Sequence, residues 1–402
     1  MTEARLRILF VNANRSATYG GVERWMIDAA AGMVARGHCA VLLGRPGTPW
    51  LCAGRNAGVG VRTDIHGTWA ARVWRVRAAM CGERPDVVVV KAKKAARMAA
   101  WGRSTGAGGR VVLFLGATHE LSADRWVDRF TWQRVDAGIV VARGAADWYR
   151  ESGFGPREKL HVLWKGLDVA AYRTSNEAAR RIRAELGLAP DQLAVTTVGR
   201  LAWQKGITDL FAAVRLLRPR LPTARFFVVG GGRDAAQIAA AAAAPDLGGA
   251  VTLLGQRDDI PALLSATDVF VQSSRREAMA QSTLEAMAAG RAVVSTRTIG
   301  ADEAIEDGVS GLLVPVEDPV ALADGILDLA ATPERRAALG EAARRRVEEH
   351  FTLGQMLERF EAICRTIVVG RRFAEVPAYQ SSSHAGAGSP GAPGRTSSSA
   401  PR

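Results

Sequence analysis

The charged side chains best suited to chemistry follow apolar, strand-like segments. Glu277 and Glu285 stand in the stretch 273–290, directly after the apolar run 269–271. Ser282 and Glu285 fit an S-x-x-E capping box, which predicts a helix N-terminus between the two glutamates. Free amides at such an end bind anions. Two carboxylates beside these amides suit a sugar, a diphosphate and a ribose. The alternative interpretation is a capped helix carrying two incidental glutamates.

Two cations follow another apolar run, residues 194–198. Gly199 and Arg200 come first, and a helix is expected to begin near Lys205. A guanidinium fork and an ammonium charge beside a helix N-terminus form a site for a polyanion. Gly21 follows the first strand-like run, where a missing side chain lets the backbone approach a phosphate. A solvated loop and a tight turn are the structural alternatives.

The first half of the chain holds further candidates. His119 follows an apolar run, from which it could reach a substrate across a cleft. Lys91, Lys93 and Lys94 follow another run and lie in the densest basic patch of the sequence. This patch is a candidate surface for an acceptor or a membrane. A surface histidine and a solvated helix face are equally simple interpretations.

Composition is that of a soluble globular protein of two ordinary domains. The chain has 402 residues, of which 48% are hydrophobic and 23% are charged. No apolar run approaches the roughly 18 residues of a membrane span, and the N-terminus shows no signal-peptide pattern. The four cysteines are scattered, without metal or disulfide spacing. We therefore expect a cytoplasmic protein.

Charge is distributed unevenly along the chain. Residues 1–170 contain 26 Lys and Arg against 14 Asp and Glu, a net of +12, whereas the whole chain has 53 against 40, a net of +13. A basic first half predicts an anionic partner on that side: a membrane surface, an anionic glycan or nucleic acid. An arginine-rich proteome would produce the same bias without any function.

Apolar runs alternate with helix-length segments, which predicts parallel sheets covered on both faces. The pattern runs from residue 7 to 164, breaks at 167–172, and resumes from 194 to 314. It indicates two doubly wound α/β domains facing a cleft, where ligands bind at the carboxyl ends of the strands. Residues 333–373 have helical periodicity. From residue 377 the chain is rich in Ser, Gly, Ala and Pro and is expected to be disordered.

The ordered set of motifs resembles the retaining GT-B glycosyltransferases of family 4. The motifs are G-G-V-E, H-E, V-G-R-L-x-x-x-K-G, V-V-G-G-G and E-A-M-A-Q-S-T-L-E-A-M-A-A-G. The likeness is most specific between residues 198 and 315. It implies two Rossmann-like domains: 1–170 for the acceptor and 171–350 for a nucleotide-sugar. A helix at 351–374 would cross back to the first domain, and 375–402 would be a disordered tail.

The resemblance also implies roles for individual residues. Arg200 and Lys205 would hold the donor diphosphate and stabilise it as it leaves, Glu277 would bind the donor sugar, and Glu285 would bind the ribose. The remaining implied contacts are the phosphate or sugar for Gly21, Gly199, Ala278, Met279, Ala280 and Gln281, the sugar for His119, and the base for the residues near Arg257. Independently of the resemblance, the candidate acceptor residues are Glu23, Lys91, Lys93 and Lys94.

Three positions depart from the family pattern. Ala278 replaces a usual glycine, Ala292 replaces a common proline, and residues 299–301 hold one glycine where two are usual. These departures leave the donor sugar undefined. No convincing D-x-D loop is present, so we expect no metal and no cofactor other than the nucleotide-sugar co-substrate.

The expected activity is retaining transfer to a cell-envelope glycan or glycolipid at the cytoplasmic face of the membrane. A GT-B enzyme that makes a small soluble glycoside, or a nucleotide-sugar epimerase, is an alternative. A basic nucleic-acid-binding protein is the non-enzyme alternative, although no nucleic-acid motif is recognisable and nucleic acid is not an expected partner.

Overall fold

The computed structural model describes residues 4–14, 20–116, 125–152 and 159–370, with backbone alone for 125–128. His119 and the tail 375–402 lie outside the described residues. In the described part, two parallel sheets carry helices on both faces. The predicted α/β class with two Rossmann-like domains is confirmed.

The first sheet has seven parallel strands in the order β3-β2-β1-β4-β5-β6-β7. Most are short apolar runs with nearly every residue buried, as expected of a sheet covered on both faces. The strands are β1 (Arg7–Asn12), β2 (Cys39–Gly44), β3 (Gly60–Arg62), β4 (Val87–Lys91), β5 (Arg110–Leu115), β6 (Ala137–Val140) and β7 (Leu160–Val162). The helices among them are α1 (Gly21–Ala35), α2 (Pro49–Asn56), α3 (Trp69–Glu83), α4 (Ala92–Ser104), α5 (Arg125–Arg134) and α6 (Arg143–Glu151).

The second sheet has six parallel strands in the order β10-β9-β8-β11-β12-β13. All six coincide with apolar runs of the sequence: β8 (Ala194–Val198), β9 (Arg225–Val229), β10 (Val251–Gly255), β11 (Val269–Gln272), β12 (Ala292–Thr296) and β13 (Leu312–Val314). The helices of this half are α7 (Asn176–Glu185), α8 (Ile207–Leu217), α9 (Ala235–Ala242), α10 (Ile260–Ser265), α11 (Gln281–Ala288), α12 (Ala301–Ala304), α13 (Pro319–Ala331) and α14 (Pro333–His350).

The helical periodicity at 333–373 belongs to two helices, and the second begins where the resemblance implied a separate crossover helix. Helix α14 stops at His350, and α15 (Leu353–Val369) begins after Thr352. The Thr352 hydroxyl accepts from the Gln355 amide, and the Gln355 side chain accepts from the Thr352 amide, which is a reciprocal capping box. Gly370, with φ of +72°, ends the helix.

Two chain segments cross between the domains side by side. One contains Leu167 and the 3-10 turn Val169–Tyr172, within which the proposed division at residue 170 falls. The other is the break between α14 and α15. The Leu167 amide donates to the Phe351 carbonyl at 3.0 Å, and the Leu353 amide donates to the Leu167 carbonyl at 2.9 Å. These bonds tie the two crossings together.

Helix α15 packs on the first domain, as the resemblance implied. The Phe360 ring lies 6.0 Å from that of Phe10 in β1 and 5.5 Å, edge-on, from that of Trp25 in α1. The Trp25 indole N–H donates to the Met356 sulfur at 3.2 Å. The last helix of the chain therefore completes the core of the first domain.

An ion cluster fixes α15 on this domain. Glu361 accepts from Arg36 at 2.8 Å and from Arg365 at 2.7 Å, and His38 Nε2 lies 3.1 Å from it. The Leu6 amide donates to His38 Nδ1, which places the imidazole proton on Nε2, facing the carboxylate. Burial alone would raise the pKa of Glu361, but Arg36, Arg365 and His38 together lower it to about 2.

Glu361→Gln is expected to lower Tm by about 2–4 °C at pH 7. Because the folded-state pKa lies below its ordinary value of 4.5, the ionised carboxylate stabilises the fold above that pH. The stabilisation disappears as pH falls from about 4.5 toward 2, so the two melting curves should converge there. Glu358→Gln, an exposed change in the same helix, is the matched control. Equal losses in both variants would contradict this account.

Candidate active site

The carboxyl ends of the strands of both sheets meet between the domains. The segment 199–206 after β8 and the segment 273–280 after β11 face the start of α1 and the residues after β7. A β-carbon built on Gly20 would lie 2.8 Å from Nη2 of Arg200. One built on Gly21 would lie 3.5 Å from the Gln281 β-carbon and 3.6 Å from Lys165 Nζ. Arg200, Gly21 and Gln281, predicted separately, are thus brought to one place.

Lys205 and Glu277 form the central ion pair of the cleft. Lys205 Nζ donates to Glu277 Oε2 at 2.5 Å, and both side chains are about 15% exposed. Burial would raise the pKa of Glu277, but Lys205 and Lys165 outweigh burial and hold that pKa below its ordinary value. Glu277 is therefore an ionised carboxylate that accepts hydrogen bonds and does not supply a proton.

Lys165, which the sequence analysis did not single out, lies beside this pair. Its Nζ donates to the Met279 carbonyl at 2.7 Å, and its side chain is 4% exposed. Burial, with Lys205 nearby, lowers the pKa of Lys165, while Glu277 and Glu285 oppose that shift. The signal in the sequence was a single cation just after β7, at a strand end like the others.

Two helix N-termini face each other across the cleft. Helix α1 begins at Gly21 and α11 begins at Gln281, so a helix start does lie between Glu277 and Glu285. The predicted capping box is wrong: Ala280 is the N-cap, and the Ser282 hydroxyl donates to Gln272 Oε1 at 3.0 Å. The buried Gln272 competes for the serine, leaving the first amides of α11 without a side-chain cap.

Glu285 connects the two domains. Arg24 in α1 donates to its Oε1 at 2.6 Å, and the Tyr172 hydroxyl also bonds to it. Burial raises the pKa of Glu285 although Arg24 opposes the shift. Burial, with Glu285 nearby, also raises the pKa of Asp28 to about 6. The carboxylate implied for a ribose is therefore bound by Arg24 in this structure.

The predicted basic patch divides into two parts. Lys91 points into the cleft, where it pairs with the buried Glu23, and Glu23 Oε2 also accepts from the Gly20 amide at 3.2 Å. Lys94 is exposed on α4, and Lys93 is half-buried. The expectation of a single patch was wrong for Lys91, because the strand end turns its side chain toward Glu23.

Two other predicted residues have different surroundings. Arg200 is exposed and forms no ion pair with the residues that the structure describes. Arg257 is bound to Asp259 by two hydrogen bonds of 2.8 and 2.6 Å and to Glu185 at 2.6 Å. The hydrogen bonds to Asp259, followed by those to Glu185, raise the pKa of Arg257. Its guanidinium is therefore engaged at the end of β10.

Glycines allow the segment 273–280 to lie close to its neighbours. Gly206, with φ of +59°, lies against the Ser273 carbonyl. A β-carbon on Gly300 would overlap the Ala278 carbonyl and would lie 2.9 Å from the Ala142 β-carbon of the first domain. Gly300 therefore lies in the loop after β12, in contact with the backbone of segment 273–280 and with the first domain.

Gly300→Ala is expected to displace the Ala278 backbone and to lower turnover at least about tenfold, because misplacement by about 1 Å costs up to 10²-fold. Gly354→Ala is the matched control, since nothing lies within 4 Å of a β-carbon there. Steady-state kinetics and melting curves of both variants check the prediction. Unchanged kinetics in Gly300→Ala would show that this close approach does not position the segment.

The arrangement is suited to binding a leaving diphosphate. Arg200, Lys205 and Lys165 supply positive charge, and the amides of α1 and α11 add the positive ends of two helix dipoles. Such fixed groups stabilise charge that develops when a phosphate departs. Glu277 balances the cations and offers acceptor oxygens for sugar hydroxyls.

The two halves match family models. Residues 20–166 match the glycosyl transferase 4-like domain, and residues 178–346 match glycosyl transferases group 1. Alpha-maltose-1-phosphate synthase of Mycolicibacterium smegmatis is 31% identical over 63% of this chain and 68% of its own length. The lipopolysaccharide core biosynthesis glycosyltransferase LpsE of Rhizobium meliloti is 25% identical over 83% and 92%. The chain belongs to the group 1 glycosyltransferases, which confirms the resemblance at the level of the family.

Further relatives support the fold. A GDP-mannose-dependent alpha-(1-6)-phosphatidylinositol monomannoside mannosyltransferase of Mycolicibacterium smegmatis is 34% identical over 48% of this chain and 53% of its own. The structure of Anabaena Alr3699/HepE with UDP-glucose aligns at TM-score 0.81, with 22% identity, over 90% and 100% of the two chains. WaaG, a lipopolysaccharide glycosyltransferase, aligns at TM-score 0.70 with 19% identity over 89% and 99%. No described helix has the length and apolar character needed to cross a membrane.

Proposed function

We propose that this glycosyltransferase moves a sugar, with retention of anomeric configuration, from a nucleoside diphosphate to a cell-envelope glycan or glycolipid. The observation that carries the proposal is the cleft itself: Arg200, Lys205 and two helix N-termini surround the ionised Glu277. Such an arrangement fits a donor that presents hydroxyls next to a diphosphate. Names of relatives support the acceptor class, since one acts on phosphatidylinositol mannoside and another in lipopolysaccharide core synthesis.

In the proposed reaction the bond between the sugar C1 and the diphosphate oxygen breaks, and the acceptor oxygen bonds to C1 on the same face. The bonding pair leaves with the diphosphate, whose added charge Arg200 and Lys205 stabilise. The acceptor proton passes to the departing phosphate oxygen. Glu277 accepts from sugar hydroxyls, the 278–281 backbone contacts sugar and phosphate, and no metal takes part. Glu285 binds the ribose once Arg24 moves aside.

We also propose roles for residues around the donor and acceptor sites. The Gly21 amide and the turn at Gly199 approach the phosphates, and the segment beginning at Arg257 borders the base. His119, which lies outside the described residues, would contact the sugar. Glu23 and Lys91 form one wall of the acceptor side, next to the exposed Lys94.

The α3–α4 face is the proposed membrane-facing surface. Trp74 is 61% exposed and Trp101 is 50% exposed, and the Arg77 guanidinium lies 5.2 Å from the Trp74 ring. Exposed tryptophans among cations suit the interface of an anionic membrane. This surface would hold the enzyme at the cytoplasmic face, where glycolipid acceptors are made.

A donor panel tests the reaction. Binding of UDP-, GDP- and ADP-sugars is measured by calorimetry, followed by release of nucleoside diphosphate with and without membrane glycolipid extract. We expect one base to bind, and release to require the acceptor. NMR of the product should show the anomeric configuration of the donor. Sugar interconversion without acceptor would indicate epimerisation, and an inverted product would refute retention.

Variants separate binding from chemistry. Lys205→Ala should reduce turnover at least about 100-fold without changing the fold, since it removes a cation from the leaving group.

Liposome sedimentation tests the proposed membrane-facing surface. Trp74→Ser with Trp101→Ser should abolish binding to vesicles with 30% anionic lipid, while Trp203→Ser, which changes an exposed tryptophan of the other domain, should not. Binding insensitive to salt and to anionic lipid would contradict the membrane proposal.

A further inference from the structure

A second cationic cavity lies away from the cleft, at the amino ends of strands β11 and β12 of the second sheet. Its volume is about 370 Å³, within the range of small-molecule sites. Asp268, just before β11, and Ala292, the first residue of β12, lie in its wall. The cleft is at the carboxyl ends of these strands, so the length of the strands separates the two sites.

Three arginines line the cavity, and each uses part of its guanidinium to cap a helix. Arg291 Nε and Arg344 Nη2 donate to the Ala289 carbonyl after α11, at 3.0 and 3.1 Å. Arg336 Nη1 donates to the Leu329 carbonyl of α13 at 2.9 Å. Arg291 Nη1 also donates to the Thr267 carbonyl at 3.1 Å. Within the described part of the chain none of the three forms an ion pair, and each keeps at least one guanidinium nitrogen outside these bonds.

Each of the two acidic residues in the wall pairs with an arginine that lies outside the cavity lining. Asp268 pairs with Arg183 at 3.1 Å and accepts from the Ala194 amide at 2.8 Å. Glu341 pairs with Arg345, one turn further along α14, at 2.7 Å. The three lining arginines therefore leave the cavity with a net positive charge.

Signs of an uncompensated charge appear at the arginines themselves. Arg344 Nε is buried and has no hydrogen-bond partner. Burial, and then the nearby Arg344, lower the pKa of Arg291, against the attraction of Asp268. An anion in the cavity would relieve this repulsion and accept from the remaining donors.

We propose that this cavity binds the phosphate group of a small phosphorylated metabolite. Guanidinium forks match the oxygens of a phosphate and bind them through paired N–H donors. The carboxylates of Asp268 and Glu341, in the same wall, accept from hydroxyl groups, so a sugar phosphate fits better than inorganic phosphate. The site is independent of the proposed transfer reaction and uses none of its residues.

Thermal shift measurements test the site, with inorganic phosphate and a hexose monophosphate as probes and sodium chloride at equal ionic strength as reference. We expect Tm to rise by about 2–4 °C with the hexose phosphate, and by less with phosphate alone. Ala337→Glu places a negative charge in the wall without removing a capping bond, and should abolish the shift. Ala338→Glu makes the same change at the next exposed position, outside the wall, and should keep it.

The cleft is the competing phosphate site, and Lys205→Ala distinguishes the two. A Tm shift that persists in Lys205→Ala and disappears in Ala337→Glu supports the cavity. A shift that disappears in Lys205→Ala, or survives in Ala337→Glu, overturns the proposal, as does the absence of any shift up to 20 mM hexose phosphate. Failure here leaves the donor panel unaffected, because the wall residues take no part in the cleft.

Discussion

Glu277→Gln is expected to lower kcat by about 10²–10³-fold while the protein stays folded. The glutamine keeps the shape of the side chain and can still accept from Lys205, which now lies 2.5 Å from Glu277. It cannot balance the charges of Lys205 and Lys165, and it is a weaker acceptor for sugar hydroxyls. The loss should appear mainly in kcat, because the interaction strengthens as positive charge develops on the sugar.

A matched variant distinguishes the loss of kcat in Glu277→Gln from the general effect of losing an ion pair. Glu83→Gln removes a carboxylate that binds Arg62 at 3.0 Å, away from the cleft, and should leave turnover unchanged. Melting curves of both variants show whether the fold persists. Near wild-type turnover in Glu277→Gln would refute the assignment of this residue to the donor sugar.

Lys165→Gln is expected to abolish most turnover, by at least about 100-fold, while leaving Tm unchanged or higher. Burial lowers the pKa of Lys165, so its surroundings disfavour the charged form, and a neutral side chain relieves that cost. The glutamine amide can still donate toward the Met279 carbonyl. A charge that costs stability and is retained in a cleft is typical of function.

The control for this variant is Arg220→Gln, which removes a positive charge at an exposed position after α8. Binding of the nucleoside diphosphate product supplies a second readout, which a purely structural residue would not change. We expect that affinity to fall in Lys165→Gln and to stay constant in Arg220→Gln. A large drop in Tm that accompanies the loss of activity would instead show that Lys165 supports the segment 277–280.

Strands and domain order could be predicted from the sequence because buried parallel strands are continuous apolar runs. Among the described residues, every strand was recognised in this way except β3, whose three residues, starting at Gly60, lie at the sheet edge and are not fully buried. Apolar residues keep helical spacing on both sides of the break before α15, so periodicity alone did not locate it. The resemblance placed it at about residue 351, and Thr352 with Gln355 carries the local capping signal.

The site was partly predictable for a related reason. Strand ends indicate where ligands bind, and this located Arg200, Lys205 and Glu277 together. The bonds from Lys165 to Met279 and from Arg24 to Glu285 join residues far apart in the chain. They result from how the two domains pack, and no local pattern encodes that packing.

The position of α15 has a consequence for the synthesis of the chain. Phe360 and Met356, which pack on Phe10 and Trp25, emerge from the ribosome only after the whole second domain. At about 5–20 residues per second, the first domain waits many seconds with an uncovered apolar groove. We expect nascent chains to engage chaperones during this interval, and chains truncated at residue 350 to aggregate.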